Sequence, residues 1–173
     1  MSEYLVIATS LRPDSHSRIL AGALMRDYSA LGAGAELVDL REHVLPLCDG
    51  DVAYAHPSVA KLSEQIKSAR VIVIATPIYN YDANAAAKNL VELTGSAWED
   101  KIVGFLCAAG GHNSYMSIMS LANSLMLDFR CLIIPRFVYA TGDDFKGDRV
   151  PKADLTKRVA QLAAAARAIR NTP

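Results

Sequence analysis

Apolar and polar positions alternate along the chain in two kinds of run. Tyr4–Ala8 (YLVIA) and Val71–Ala75 (VIVIA) are unbroken apolar stretches rich in β-branched residues. That pattern belongs to strands buried on both faces. Ala35–Leu40, Ile102–Ala108 and a segment within Cys131–Ala140 read as three more strands, the last with Pro135 at a bend or near its start. Between the strands, apolar residues recur at helical spacing. Ile19, Leu20, Ala23, Leu24 and Leu31 predict a helix over Arg18–Leu31, and Gly32-Ala33-Gly34 stops it. Pro57-Ser58 opens a second helix to Ala69, followed by Ala85–Thr94, the long apolar Tyr115–Asp128 and the alanine-rich Lys152–Arg170. Arg41–His56 is irregular.

Strands alternating with helices imply right-handed crossovers and a parallel sheet covered on both faces. The expected architecture is an α/β three-layer sandwich with a five-stranded parallel sheet, in one domain over residues 1–173. Ligands of such sheets bind beyond the carboxyl ends of the strands, at the switch in strand order. Here those ends carry three loops: Thr9–Ser17, Thr76–Asn84 and Ala109–Ser114.

Composition narrows the function. With 51% hydrophobic and 21% charged residues the chain carries enough apolar material for a folded core. Its 18 basic residues balance 18 acidic ones, which argues against a nucleic-acid partner. No apolar stretch approaches the ~20 residues that cross a bilayer, and Met1–Leu11 does not read as a secretory signal, so a cytoplasmic protein without a membrane partner is expected. Cys48, Cys107 and Cys131 form no Cys-x-x-Cys pair; Cys107 and Cys131 read as buried small hydrophobes. Cys48 with His43, Asp49 and His56 matches no usual zinc spacing, so no metal site is expected.

The first loop, Ser10-Leu11-Arg12-Pro13-Asp14-Ser15-His16-Ser17, lies between a strand and a helix. Free N–H groups and the helix dipole favour an anion there, and three hydroxyls plus a bidentate guanidinium suit a phosphate. The plainer alternative is a serine N-cap at Ser15 or Ser17 beside a solvated arginine. No Gly-x-Gly-x-x-Gly follows the first strand and no Gly-x-x-x-x-Gly-Lys-Ser/Thr occurs. In the second loop, Tyr79 and Tyr81 flank Asn80, offering aromatic faces and an amide to a flat heteroatom-rich ring, or else a turn that covers the core. In the third, Gly110-Gly111 permits close backbone approach, although for this loop alone a tight turn with an Asn113 or Ser114 cap is the favoured reading; His112 has no evident partner. Phosphate donors and aromatic surface with little acid–base machinery point to a cofactor that carries the reaction, so no catalytic side chain is expected.

Ser-Leu-Arg-x-x-Ser-x-Ser after the first strand, Thr-Pro-x-Tyr-Asn-Tyr after the third and Gly-Gly after the fourth resemble the NADPH-dependent FMN reductase family, from about Tyr4 to Ala140. The resemblance implies a flavodoxin-like fold, strand order 2-1-3-4-5, with FMN bound noncovalently and reduced by NADPH or NADH before a small acceptor takes the electrons. It implies Ser10, Arg12, Ser15 and Ser17 at the FMN phosphate, with His16 in the same loop. Pro77, Ile78, Tyr79, Asn80 and Tyr81 would lie along the ribityl chain and ring, and Gly110 and Gly111 at the ring's pyrimidine edge. Dimers or tetramers are implied as well, and the broad apolar circumference of Tyr115–Asp128 fits a subunit contact. Two departures stand out. Thr9 occupies a position where the family usually has glycine, and Asp82-Ala83-Asn84-Ala85 replaces a small polar residue followed by proline. The first departure would reshape the start of the phosphate loop; the second would place an acid beside the flavin. Rival readings are a flavodoxin-type electron carrier without nicotinamide turnover, and a binding module that keeps the fold without a productive flavin.

Overall fold

The computed structural model describes residues 2–147 and 149–170. Strands β1 (Tyr4–Ala8), β2 (Ala35–Asp39), β3 (Val71–Tyr79) and β5 (Ile102–Ala108) form the parallel heart of a sheet ordered β2-β1-β3-β5, with β6 (Leu132–Ile133) next in line. The order is the expected one. The fifth strand is in two pieces: β6 pairs with Ile102 and Val103, and β7 (Val138–Ala140) with Leu106–Ala108 of the same strand. Pro135, which has no N–H for the ladder, lies in the gap between them.

Side-chain alternation divides β1 and β3 between two cores. Leu5, Ile7, Ile72 and Ile74 pack on one face of the sheet with helices α2 (Pro57–Ser68), α3 (Ala85–Thr94) and α4 (Met119–Phe129). Tyr4, Val6, Val71, Val73 and Ala75 pack on the other with α1 (His16–Ala30) and α5 (Ala153–Ala168). Gly104 in β5 lets this second layer close: a Cβ there would lie 3.2 Å from both Ile134 and Leu162 methyl carbons.

Several expectations change. Thr76–Asn84 is not simply a loop. β3 continues through Tyr79, with Thr76 and Pro77 paired to Cys107 and Ala108, and turns at Asn80-Tyr81 into β4 (Asp82–Ala83), which is antiparallel to it. The apolar periodicity of Val71–Ala75 ends at Thr76, so pattern alone stops the strand too early. The Tyr115–Asp128 helix is broken: His112–Ile118 is a 3₁₀ segment kinked at Ser114, and the α-helix starts at Met119. The Ser117 hydroxyl donates to the Ser114 carbonyl at 2.7 Å and competes with helical bonding there. A hairpin of β8 (Phe145–Lys146) and β9 (Val150–Pro151) precedes α5, which runs Ala153–Ala168 rather than Lys152–Arg170. Among the described residues no helix is long and apolar enough to cross a membrane.

Candidate functional site

The carboxyl ends of β1, β3 and β5 open on a cavity of about 1360 Å³, larger than the ~300–1,000 Å³ of an ordinary small-ligand pocket. Arg12, Ser15 and His16 line it from the first loop and the start of α1; Pro77, Ile78, Tyr79 and Asn80 line it from the β3–β4 hairpin; Gly110 lines it from the end of β5. Ser10, Ser17, Tyr81 and Gly111, expected at the same site, are not on its wall. Ser10 and Ser17 are buried beneath the loop: the Ser10 hydroxyl accepts the Arg12 N–H at 3.3 Å, and the Ser17 and Ser15 hydroxyls are 2.7 Å apart. They support the wall instead of forming it. Pro13, Asp14, Arg18 and Ile19 also line the cavity, together with Gly142, Gly147 and Arg149 from the segment before α5.

The first wall suits an anion. Ser15 stands at the N-cap of α1, yet its side chain makes no capping hydrogen bond, and the first turn holds no acidic residue. The capping alternative for Ser15 therefore fails, and neither a Ser15 cap nor an acidic side chain offsets the positive end of this 15-residue helix at the cavity. Arg12 carries no ion pair among the described residues. Arg18, by contrast, is committed to Asp39 at the end of β2, at 2.6 Å, with Arg41 on the same carboxylate at 3.3 Å. Burial pushes the Asp39 carboxyl above its ordinary value, and Arg18 opposes that rise.

In the second wall the turn has left-handed backbone at both central residues, φ +50° at Asn80 and +66° at Tyr81. A two-residue turn of this hand usually takes Asn-Gly, so the tyrosine is held in a costly conformation. Tyr79 and Tyr81 are 54% and 57% exposed, which removes the alternative that they merely cover the core. Asp82 pairs with Tyr79 across the hairpin but is not itself on the cavity wall: its carboxylate accepts from the Ser120 hydroxyl at 2.6 Å and the Ala83 N–H at 2.7 Å.

The third wall tests whether a ligand fits. Gly110 has no left-handed φ, and a Cβ there would meet nothing within 4 Å. Neither backbone conformation nor packing within the chain calls for glycine, so the vacant volume is available to a group from outside the chain. The Tyr139 hydroxyl holds the Gly111 carbonyl. His112 does have a partner, Asp143, at 3.2 Å, but both are exposed and neither lines the cavity. The remaining metal-type residues have local duties: His56 accepts the Ser58 N–H at the start of α2 and Asp49 the N–H groups of Asp51 and Ala53.

No glycine fingerprint led to the 142–149 wall. The usable signal was indirect, since β7 ends at the same sheet edge as β5. Its link to the first wall is long-range: the Phe145 ring stacks on His16 with centroids 4.1 Å apart, and Arg149 meets Asp14 at 3.1 Å.

A sheet in this order, with an anion-suited helix start after β1 and an aromatic hairpin after β3, is a flavodoxin-like α/β sandwich. Within that class the chain belongs to the NADPH-dependent FMN reductase family, whose model matches residues 3–146. It is 30% identical over 74% of its length to an NAD(P)H-dependent FAD/FMN reductase of Geobacillus thermodenitrificans, covering 71% of that protein. It is 28% identical to an NAD(P)H:quinone oxidoreductase of Solanum tuberosum, over 86% of this chain and 82% of that one. The solved flavoenzyme NAD(P)H:(acceptor) oxidoreductase of Paracoccus denitrificans shares the fold at TM-score 0.77 and 20% identity, covering 95% of this chain and 94% of that one.

Proposed function

We propose that the chain is an FMN-containing oxidoreductase that passes electrons from NADPH or NADH to a small acceptor, a quinone or free flavin. The observation that carries this reading is the meeting, in one cavity, of the uncapped α1 terminus with Arg12 and the exposed Tyr79-Asn80 turn. When bound, FMN supplies the redox chemistry, accepting hydride from the nicotinamide and delivering electrons to the acceptor.

The chain's own residues bind and orient. The first-turn N–H groups of α1, the Ser15 hydroxyl and Arg12 hold the phosphate, while Ser10 and Ser17 brace that loop from below. His16 closes the same end, fixed by its stack on Phe145. Pro77, Ile78, Tyr79 and Asn80 flank the ring, with the Asn80 amide able both to donate and to accept. Tyr81 and Gly111 shape the turn and the strand end without touching the ligand. The absent side chain at Gly110 lets the backbone close on the ring's polar edge, where N–H groups stabilise negative charge. No side chain is assigned a proton-transfer step; rate comes from holding donor, cofactor and acceptor in register.

A homodimer or homotetramer belongs to this reading. Leu127 on α4 is 84% exposed and Met116 in the preceding 3₁₀ segment 51% exposed, and both fit a subunit contact. The acceptor class follows the relatives' names. A cytoplasmic setting fits the free thiols Cys48, Cys107 and Cys131.

The test is an anaerobic titration of the FMN-reconstituted protein with NADPH, following the yellow absorption band. Bleaching at one equivalent is the expected result. A band that forms and does not bleach would indicate an electron carrier, and no bound FMN a binding module.

A further inference from the structure

Thr9 and Asn84 stand 75 positions apart in the chain and interlock in the fold. The Asn84 side-chain oxygen accepts from the Thr9 hydroxyl at 2.8 Å, the Thr76 hydroxyl at 3.0 Å and the Ala87 N–H at 3.3 Å. Its amide nitrogen donates to the Thr9 carbonyl at 2.8 Å. Because the Ala87 N–H needs an oxygen and the Thr9 carbonyl needs an N–H, only one amide orientation serves. All three side chains are buried, and none lines the cavity.

Their places in the chain give this knot its meaning. Thr9 is the last residue before the loop that carries Arg12 and Ser15. Asn84 caps α3 and closes the hairpin that carries Tyr79 and Asn80. The parallel ladder between β1 and β3 ends at Ala8 and Ala75, supplemented by the Thr9 N–H donating to the Ala75 carbonyl at 2.9 Å. Beyond that point the two chains diverge into separate walls, and the Asn84 carboxamide spans the divergence. Capping α3 requires only one acceptor; of the remaining side-chain bonds of Asn84, the one from Thr76 stays within its own wall and the two with Thr9 run across to the other.

We propose that the Thr9–Asn84 clasp is a positioning device that fixes the separation between the anion-binding loop and the ring-facing hairpin, so that one two-ended ligand reaches both. The proposal rests on the flavin reading of the cavity. FMN has a phosphate end and a ring end, whereas riboflavin has only the ring end. The second end adds affinity only if the first holds it at the right span, an effective-concentration advantage that a loosened span loses. Riboflavin, gripped at one wall, does not feel that loss.

The experiment measures FMN and riboflavin dissociation constants by quenching of flavin fluorescence, well below the melting midpoint of each apo variant. Thr9→Val is expected to raise the FMN constant about tenfold and the riboflavin constant less than about threefold. Thr9→Ser, which keeps the hydroxyl, is expected to match the wild type. Asn84→Ser keeps a cap for α3 but is too short to reach the Thr9 carbonyl; it is expected to behave like Thr9→Val, and it decides the matter if Thr9→Val does not fold. Equal weakening of both flavins, or of neither, would show that the clasp serves only the fold and would overturn the proposal. Wild-type protein that binds neither flavin would overturn the flavin reading itself, and the proposal with it.

Discussion

The two sides of the cavity are held in opposite ways. On the α1 side, Arg18, 33% exposed, is pinned at 2.6 Å to Asp39, which is 5% exposed, and buried hydroxyls brace the loop from beneath. On the far side, the 142–149 segment meets the first loop through the Arg149–Asp14 pair, 72% and 65% exposed, and the stack of Phe145 on His16. Removing one partner from a buried pair leaves a stranded charge, whereas an exposed pair contributes at most ~1 kcal/mol. A rigid wall next to an adjustable one suits a site that retains one ligand while others come and go.

The largest effect is expected where the rigid wall is anchored. Arg18→Ala should cost about 2–3 kcal/mol at pH 7, less than the full loss of a buried pair because Arg41 remains on the carboxylate. Burial already raises the Asp39 carboxyl above its unfolded value of 3.8 in the presence of Arg18. The folded state therefore holds this proton more tightly than the unfolded state, and the related stability is complete below pH 3.8 and falls as pH rises through the folded value. Without Arg18 the folded value climbs further. The penalty of the variant should be large in urea melts at pH 7 and nearly absent below pH 3.8; an equal penalty at both would mean that the pair does not anchor the wall.

Arg12→Ala comes next. Among the described residues its guanidinium has no ion pair, so removing it should leave apo stability within about 0.5 kcal/mol and weaken FMN binding by about 2 kcal/mol, or some thirtyfold, as for a hydrogen bond to a charged group. Titration of the apo protein with FMN measures this. Unchanged affinity would remove Arg12 from the phosphate site.

Gly110→Ala separates ligand from fold more sharply. The new methyl would meet nothing within 4 Å, and the backbone is not left-handed. Apo stability should therefore hold or rise slightly, since alanine loses less entropy on folding, while FMN affinity falls several-fold because the methyl fills the approach to the ring edge. An undiminished affinity would argue that the third wall stands clear of the ligand.

How far the sequence revealed this arrangement depended on where each signal lay. β1, β5 and α3 were readable end to end, because their apolar runs are bounded by polar or glycine positions within a few residues. The anion loop was legible for the same local reason, but which of its serines face the cavity was not: Ser10, Ser15 and Ser17 share one chemistry and all are buried, and only Ser15 lies on the cavity wall. β3 was cut short because its later residues owe their strand state to pairing, Thr76 and Pro77 with β5 and Ile78 and Tyr79 with β4. The Asn80-Tyr81 turn was hidden because a glycine normally marks such backbone and here a tyrosine is forced into it. The far wall escaped entirely, since the contacts that bring Arg149 to Asp14 join residues 135 apart.

The forced tyrosine makes a prediction of its own. Tyr81→Gly should relieve the left-handed strain and stabilise the apo fold by about 1 kcal/mol, seen as a higher urea midpoint. Tyr81 is exposed and off the cavity wall, so FMN affinity should stay within twofold. A destabilised variant would show that the ring makes contacts worth more than the strain.

The smallest effect is expected on the adjustable wall, and it is the sharpest check on the contrast between the two sides. Arg149→Ala removes an ion pair that ties the segment before α5 to the first loop, yet both partners are mostly in water. Stability should fall by less than about 0.5 kcal/mol, and that small loss should vanish at 1 M salt, where the screening length shrinks to ~3 Å. A loss above 2 kcal/mol that persists in salt would mean that the far wall is as firmly built as the near one. The contrast would then lie in sequence legibility alone, with both walls rigid and the cavity preformed on every side.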